Sequence, residues 1–166
     1  MNTLYNIWFI RHGESEANTM TFTHWSKSDP ALTGTGRLQC YSTKLKLKDI
    51  QFKRVLCSPL KRSIQSSLIV FPKTFIQCLP CVSEMGWGLD NICNFNESYP
   101  WIVFNDYDSN PSVKKLMDYI EEKCSPGENI AIVCHHNYIK NAVKRELKNM
   151  EFVQCMYDSQ LRKFYC

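Results

Sequence analysis

The sequence predicts an α/β fold, a mainly parallel sheet with helices on both faces. Four short apolar runs, at residues 5–10, 55–57, 75–82 and 129–134, alternate with stretches of helical periodicity or loop. The first run is continuous and rich in aromatic and β-branched residues, as expected of a strand buried on both faces. A chain of 166 residues, 44% apolar and 22% charged, is long enough to bury its own core, so residues 1–166 are expected to form a single domain. There is no internal repeat, low-complexity tract or linker.

The first strand ends at Arg11-His12-Gly13, where a turn is required. Thr33 ahead of Leu38, Tyr41 and Leu45 suggests a helix, against the tendency of Gly34 and Gly36. The run at 55–57 meets Ser58-Pro59, a natural N-cap followed by proline at the first helical position, and Leu60, Ile64, Ser67, Leu68 and Phe71 then share a stripe. The run at 75–82 is looser, being interrupted by Pro80. Asn110-Pro111 starts a further helix, with Val113, Leu116, Met117, Ile120 and Cys124 at helical spacing. The run at 129–134 ends at His135-His136, and Asn137 is placed to cap a helix carrying Ile139, Ala142, Val143 and Leu147 on its inner face. Residues 151–166 are expected to add a terminal strand or hairpin.

Twenty Lys plus Arg against sixteen Asp plus Glu leave a net charge of +4, which suits an anionic substrate but is too mild to indicate nucleic acid. The densest basic stretch, Lys44, Lys46, Lys48, Lys53 and Arg54, has no aromatic platform beyond Phe52 and reads as a solvated face. The nine cysteines are odd in number and scattered, which fits free thiols in a reducing compartment better than a secreted framework. Cys78 and Cys81 lack the further ligands of a zinc site and read as buried apolar residues. The N-terminus has no basic run, its apolar stretch is too short for a signal or membrane span, and neither Asn2 nor Lys163 permits lipidation. A cytoplasmic protein without membrane attachment is expected.

In open α/β sheets ligands bind beyond the carboxyl ends of the strands. The residues at those positions are Arg11, His12, Ser58 with Arg62, Glu84, and the pair His135-His136. Guanidiniums carry forked donors that match phosphate oxygens, and a neutral imidazole has a lone pair near pH 7. The set reads as a phosphoryl site. The adjacent His135-His136 does not suggest a metal, because neighbouring side chains on an extended chain point apart and no carboxylate pair accompanies them.

The segment Arg11-His12-Gly13-Glu14-Ser15-Glu16-Ala17-Asn18 resembles the phosphate-transferring signature of the histidine phosphatase superfamily, the phosphoglycerate-mutase-like group. Further blocks follow in order: Phe22-Thr23-His24-Trp25, Leu32-Thr33 with Gly36 and Gln39, the nine residues from Ser58 to Ser66, and Val133-Cys134-His135. The resemblance spans residues 5 to about 145 and implies a phosphoglycerate-mutase-like fold. It makes His12 the nucleophile, with Arg11, Arg62 and a protonated His135 holding the phosphoryl oxygens and Asn18 and Thr23 adding hydrogen bonds. Glu84, in Ser83-Glu84-Met85-Gly86-Trp87-Gly88, becomes the proton donor and later the base that activates water, with Glu97 in reserve. No metal or organic cofactor is implied.

Three positions depart from the family pattern. His136 and His24 stand where glycine is usual, and Ser66 replaces a commoner threonine. His136 is therefore a candidate further phosphate donor or a narrowing of the pocket. Only fifty residues, none of them arginine, separate Glu84 from His135, and Met85 stands where mutases carry a basic residue. These features favour a phosphomonoester hydrolase acting on a phosphorylated small molecule or phosphoprotein, including phosphohistidine proteins. Two alternatives share the site: a compact phosphoglycerate mutase, and a phospho-ligand-binding protein without turnover. Substrate choice is expected to reside in residues 91–109 and around His24, where Trp25, Trp87, Phe95, Tyr99 and Trp101 are candidates for an apolar wall.

Overall fold

The computed structural model describes residues 3–19, 28–86, 88–93, 101–104 and 110–166. The strands are β1 (Leu4–Arg11), β2 (Arg54–Cys57), β3 (Ile76–Cys78), β4 (Ile102–Phe104), β5 (Asn129–Cys134), β6 (Phe152–Asp158) and β7 (Lys163–Tyr165). The helices are α1 (Glu16–Thr19), α2 (Gly34–Leu47), α3 (Lys61–Val70), α4 (Val113–Lys123) and α5 (His136–Val143). The strands form one sheet in the order β4-β3-β2-β5-β1-β6-β7. The first five in that order are parallel, and β6 and β7 add an antiparallel hairpin at the β1 side.

β5 lies between β1 and β2, with Arg11 opposite Cys134 and Cys57 opposite Val133. The ladder continues one residue past both strand ends, through His12 N–H to the Cys134 carbonyl at 3.0 Å and Ser58 N–H to the Val133 carbonyl at 3.1 Å. The chain therefore leaves the carboxyl ends of β1, β2 and β5 at one level. That register brings residues far apart in sequence into one crevice.

Successive side chains of β1 supply two cores, as strand pleating requires. Tyr5, Ile7 and Phe9 pack with Leu116, Ile120, Tyr138 and Tyr157 on the face covered by α4 and α5. Trp8 and Ile10 pack with Cys40, Leu47, Ile64 and Val70 on the face covered by α2 and α3. The expected two-sided arrangement is present, and complete burial of residues such as Phe9 and Ile10 contributes about 1.5–3 kcal/mol each.

Several local expectations need correction. α2 begins after Thr33, whose hydroxyl accepts from Gly36 N–H at 3.0 Å, but its inner face is Gly36, Cys40, Thr43 and Leu47. Leu38, Tyr41 and Leu45 are exposed, so the apolar residues that suggested the helix lie outside the core. α3 starts at Lys61, because Ser58-Pro59 is used to turn the chain out of the sheet. Lys61 N–H is capped instead by the Asp29 carboxylate at 2.7 Å, a partner thirty-two residues away. Ser112, rather than Asn110, caps α4, and His135 occupies the position before α5, which places Asn137 inside the first turn. The loose run at 75–82 is a three-residue strand followed by a single turn of 3₁₀ helix at Pro80–Val82.

The terminal hairpin contains a disulfide between Cys155 and Cys166, where free thiols were expected. Met156 pairs with Tyr165 across β6 and β7, so the next pair outward is Cys155 and Cys166, with Cα atoms 4.2 Å apart. The other seven cysteines are free, and all but Cys93 are buried. Cys78 and Cys81 are among these buried thiols; burial pushes the Cys81 pKa up to about 11.

Candidate active site

The loop after β1 is built on close backbone contact. A Cβ on Gly36 would collide with the Glu14 carbonyl oxygen, and one on Gly13 would come within 2.7 Å of the Gly36 carbonyl oxygen, so both positions need glycine. Side chains from α2 and α3 hold the loop in place: Gln39 accepts from Glu14 N–H at 2.9 Å, and Ser66 accepts from Gly13 N–H at 2.9 Å. Ser66 also donates to the Arg62 carbonyl at 2.7 Å, so the hydroxyl at this departure from the family pattern joins the two segments.

His12 is buried at the end of β1. Its Nδ1 lies 2.7 Å from the Gly13 carbonyl oxygen, a contact that requires Nδ1–H as donor and leaves Nε2 with its lone pair. The His135 ring, fully buried at the end of β5, lies 5.0 Å away between centroids. Ser63 Oγ is 3.4 Å from His135 Nε2, while His135 Nδ1 has no hydrogen-bond partner among the described residues.

Arg11 and Arg62 complete the cluster. Arg11 donates from Nη1 to the Leu147 carbonyl at 2.9 Å, and its Nε is buried without a partner among the described residues. Arg62 is buried and tethered by Nη1 to the Asp90 carbonyl at 2.8 Å and by Nη2 to Asn91 Oδ1 at 2.9 Å. Unused donors on buried cationic or imidazole groups are what an incoming oxyanion would satisfy.

Glu84 is half-buried between the 3₁₀ turn and α5. Its Oε1 accepts from Met85 N–H at 2.9 Å and from Tyr138 N–H, in the first turn of α5, at 3.2 Å. Burial raises its pKa above 4.5 despite these bonds and the attraction of Arg62. A cavity of about 720 Å³ opens beside it, between Pro59 and Asn110.

The remaining candidates are less central. Asn18 is exposed, and its Oδ1 accepts from Ser15 N–H at 2.9 Å, so only its amide nitrogen is available as a phosphate donor. His136 is half-buried at the start of α5 and has no hydrogen bond to the His12 cluster among the described residues. Thr23, His24, Trp25, Trp87, Phe95, Glu97 and Tyr99 lie outside the described residues. Trp101 packs edge-on against Phe75, each just before the amino end of its strand, β4 and β3, and so at the opposite end of the sheet from this crevice. Among the described residues no group of three or more His, Cys, Asp or Glu is placed to hold a metal, and no helix is long and apolar enough to cross a membrane.

Sequence reasoning missed the segment after α5. Asn149 Nδ2 donates to the His12 carbonyl at 3.0 Å, and Met150 N–H donates to the Arg11 carbonyl at 3.1 Å. An asparagine among polar residues, with no strand or turn motif around it, carries no signal of this role.

Burial, reinforced by Arg62, holds the pKa of both His12 and His135 well below 6.5. In the phosphate-free protein His135 is therefore neutral, and only a bound phosphoryl dianion would favour the protonated form expected for it. Because the folded values are depressed, the stability linked to each ring is present above pH 6.5 and is lost as pH falls toward the folded-state value. The slope is about 1.4 kcal/mol per pH unit for each histidine. Glu84, raised in the fold, acts oppositely: its contribution is present below its unfolded value and is lost on raising the pH. Thermal melts without phosphate between about pH 7 and about pH 5 should show Tm falling, and falling much less in the His12→Gln, His135→Gln double variant. Parallel slopes would mean that the rings protonate freely within the fold.

A buried histidine held neutral with Nε2 unengaged, a second buried histidine and two guanidiniums, gathered beyond the carboxyl ends of parallel strands, form an oxyanion site suited to phosphoryl groups. Residues 7–98 match the model of the histidine phosphatase superfamily (branch 1), and the chain belongs to that family. Over 88 residues it is 44% identical to 2,3-bisphosphoglycerate-dependent phosphoglycerate mutase 1 of Latilactobacillus sakei, a match that covers 51% of this chain but only 36% of that relative. The fold is like that of phosphoglycerate mutase from Bacillus anthracis, with a TM-score of 0.72 at 15% identity, covering 99% of this chain and 92% of the other. It is also like alpha-ribazole phosphatase from Shigella flexneri, with a TM-score of 0.67 at 18% identity, covering 91% and 90%.

Proposed function

We propose that the chain is a metal-independent phosphomonoester hydrolase, a single catalytic domain over residues 1–166, working in the cytoplasm on a phosphorylated small molecule or phosphoprotein through a phosphohistidine on His12. The observation that carries this reading is the opposed biasing of two groups that both lie within reach of the Arg62 charge. His12 is kept neutral with Nε2 available, and Glu84 is biased toward its protonated form. A base kept unprotonated beside an acid biased toward its protonated form is the pairing a nucleophile and a proton donor require.

In the first step the Nε2 lone pair attacks phosphorus and the bond from phosphorus to the ester oxygen breaks. Glu84 passes its proton to that oxygen, so the product leaves as a neutral alcohol. Arg11, Arg62 and His135 hold the equatorial oxygens and the charge that develops on them. In the second step Glu84, now a carboxylate, takes a proton from water as the water oxygen attacks phosphorus. The phosphorus–nitrogen bond breaks, its electron pair returns to Nε2, and inorganic phosphate leaves. The guanidiniums supply the fixed positive charge that metal ions supply elsewhere.

The similarity to a phosphoglycerate mutase supports a second reading, in which the phosphoryl group is returned to a phosphoglycerate. The absence of arginine between Glu84 and His135, with Met85 beside the acid, leaves few cations to retain such an intermediate. The test is incubation with an aryl phosphate in chelator, with acid-labile phosphate on the His12 peptide followed by mass spectrometry. Labelling with steady release of phosphate is expected. Turnover only with bisphosphoglycerate and phosphoglycerate would establish the mutase, and tight phosphate binding without labelling would establish a binding protein.

A further inference from the structure

The cavity beside Glu84 is an open one that shares wall residues with the surroundings of Arg62. Two of its wall residues engage Arg62: Glu84 through its charge, and Asn91, whose Oδ1 accepts from Arg62 Nη2 at 2.9 Å. The space therefore adjoins the acid and the residue that tethers Arg62. An acid that protonates the leaving oxygen must lie within hydrogen-bond reach of it, so the alcohol's carbon skeleton has to start at Glu84 and continue into this space.

Pro59, Leu60, Pro80, Met85 and Pro111 supply apolar wall. The polar groups among the described lining residues are neutral apart from Glu84, and there is no Lys, Arg or His. The lysines between Glu84 and His135 are Lys114, Lys115 and Lys123, all on α4 and outside this lining. A second phosphate or a carboxylate placed here would meet no Lys, Arg or His among the described lining residues, would find the Arg62 guanidinium already engaged by Asp90 and Asn91, and would face the Glu84 carboxyl group.

Resting on the hydrolase reading above, we infer that the substrates are phosphomonoesters of neutral, predominantly apolar alcohols, and that a carboxylate or second phosphate on the alcohol is rejected. At about 720 Å³ the cavity is large enough for a ring-sized group and well beyond the need of a three-carbon acid.

The experiment compares primary alkyl esters, so that leaving-group chemistry is constant: phenethyl phosphate, glycerol phosphate and phosphoglycerate, with nitrophenyl phosphate as a general reporter. Phenethyl phosphate should exceed phosphoglycerate in kcat/KM on the order of 100-fold or more. In Met85→Arg the gap should narrow from both sides, because a cation then stands at the cavity wall. A flat alkyl panel with good nitrophenyl turnover would overturn the pocket assignment and leave the hydrolase reading intact. Loss of all turnover, nitrophenyl phosphate included, would remove both. A measurement on the unmodified protein needs neither turnover nor a variant: Cys93, the exposed cysteine outside the disulfide, lines this cavity. Phenethyl phosphonate should slow its alkylation several-fold, while phosphoglycerate at the same concentration should not; equal protection by both would overturn the inference.

Discussion

Replacing His12 with alanine is expected to reduce aryl phosphate hydrolysis to the solution background, a loss on the order of 10⁵-fold or more, because the acceptor of the phosphoryl group is gone. Phosphate affinity should survive within a few-fold, since Arg11 and Arg62 hold their positions through Leu147, Asp90 and Asn91 rather than through the imidazole. The variant should also fold. His12 contributes one side-chain bond, to the adjacent Gly13 carbonyl, and the backbone around it is held by Cys134, Asn149 and Met150. Steady-state turnover, isothermal titration with inorganic phosphate and a thermal melt on the same preparation separate the three quantities. A variant that keeps a tenth of the activity would exclude His12 as nucleophile. One that melts normally yet no longer binds phosphate would show that the ring is a ligand for the anion, not its covalent acceptor.

His12, Arg11 and His135 were legible in the sequence for a physical reason. Each directly follows or ends an apolar run, and the carboxyl ends of parallel strands are where a sheet of this kind exposes its chemistry. Arg62 was less so, because a helical arginine five residues beyond a strand is ordinarily solvated; its burial goes with the tether to Asp90 and Asn91, a long-range contact with no local signature. Helix starts shifted for the same kind of reason. Ser58-Pro59 has the composition of an N-cap, but the turn out of β2 consumes it, and Asp29 caps α3 from another segment. The exposed Leu38, Tyr41 and Leu45 show the limit of periodicity: α2 buries small residues, Gly36, Cys40 and Thr43, because it approaches the loop after β1 too closely for large ones. The three-residue β4 is too short to announce itself, and the Cys155–Cys166 bridge follows from a hairpin register that spacing alone does not encode.

Replacing Glu84 with glutamine separates the two proton transfers and should affect substrates unequally. For an alkyl phosphate the alkoxide cannot leave without a proton, so kcat/KM should fall by about 10²–10⁴-fold. A nitrophenolate leaves unaided, and its release from the first step should be nearly preserved. The second step still lacks a base for water, so phosphohistidine accumulates: a burst of one nitrophenolate per site, followed by slow turnover. The pH profile provides an independent check. The acid limb belongs to His12, which is inactive when protonated and whose pKa lies well below 6.5; the alkaline limb belongs to Glu84, which must be protonated to donate and whose pKa burial raises above 4.5. In Glu84→Gln the alkaline limb of the alkyl ester profile should disappear while the acid limb stays. Isosteric glutamine can still fill the space beside Met85 and Tyr138, so a fall in Tm of more than a few degrees is not expected. Equal losses on both esters with no burst, or an unchanged alkaline limb, would assign the proton to another group, and Glu97→Gln would then be the variant to carry through the same three measurements.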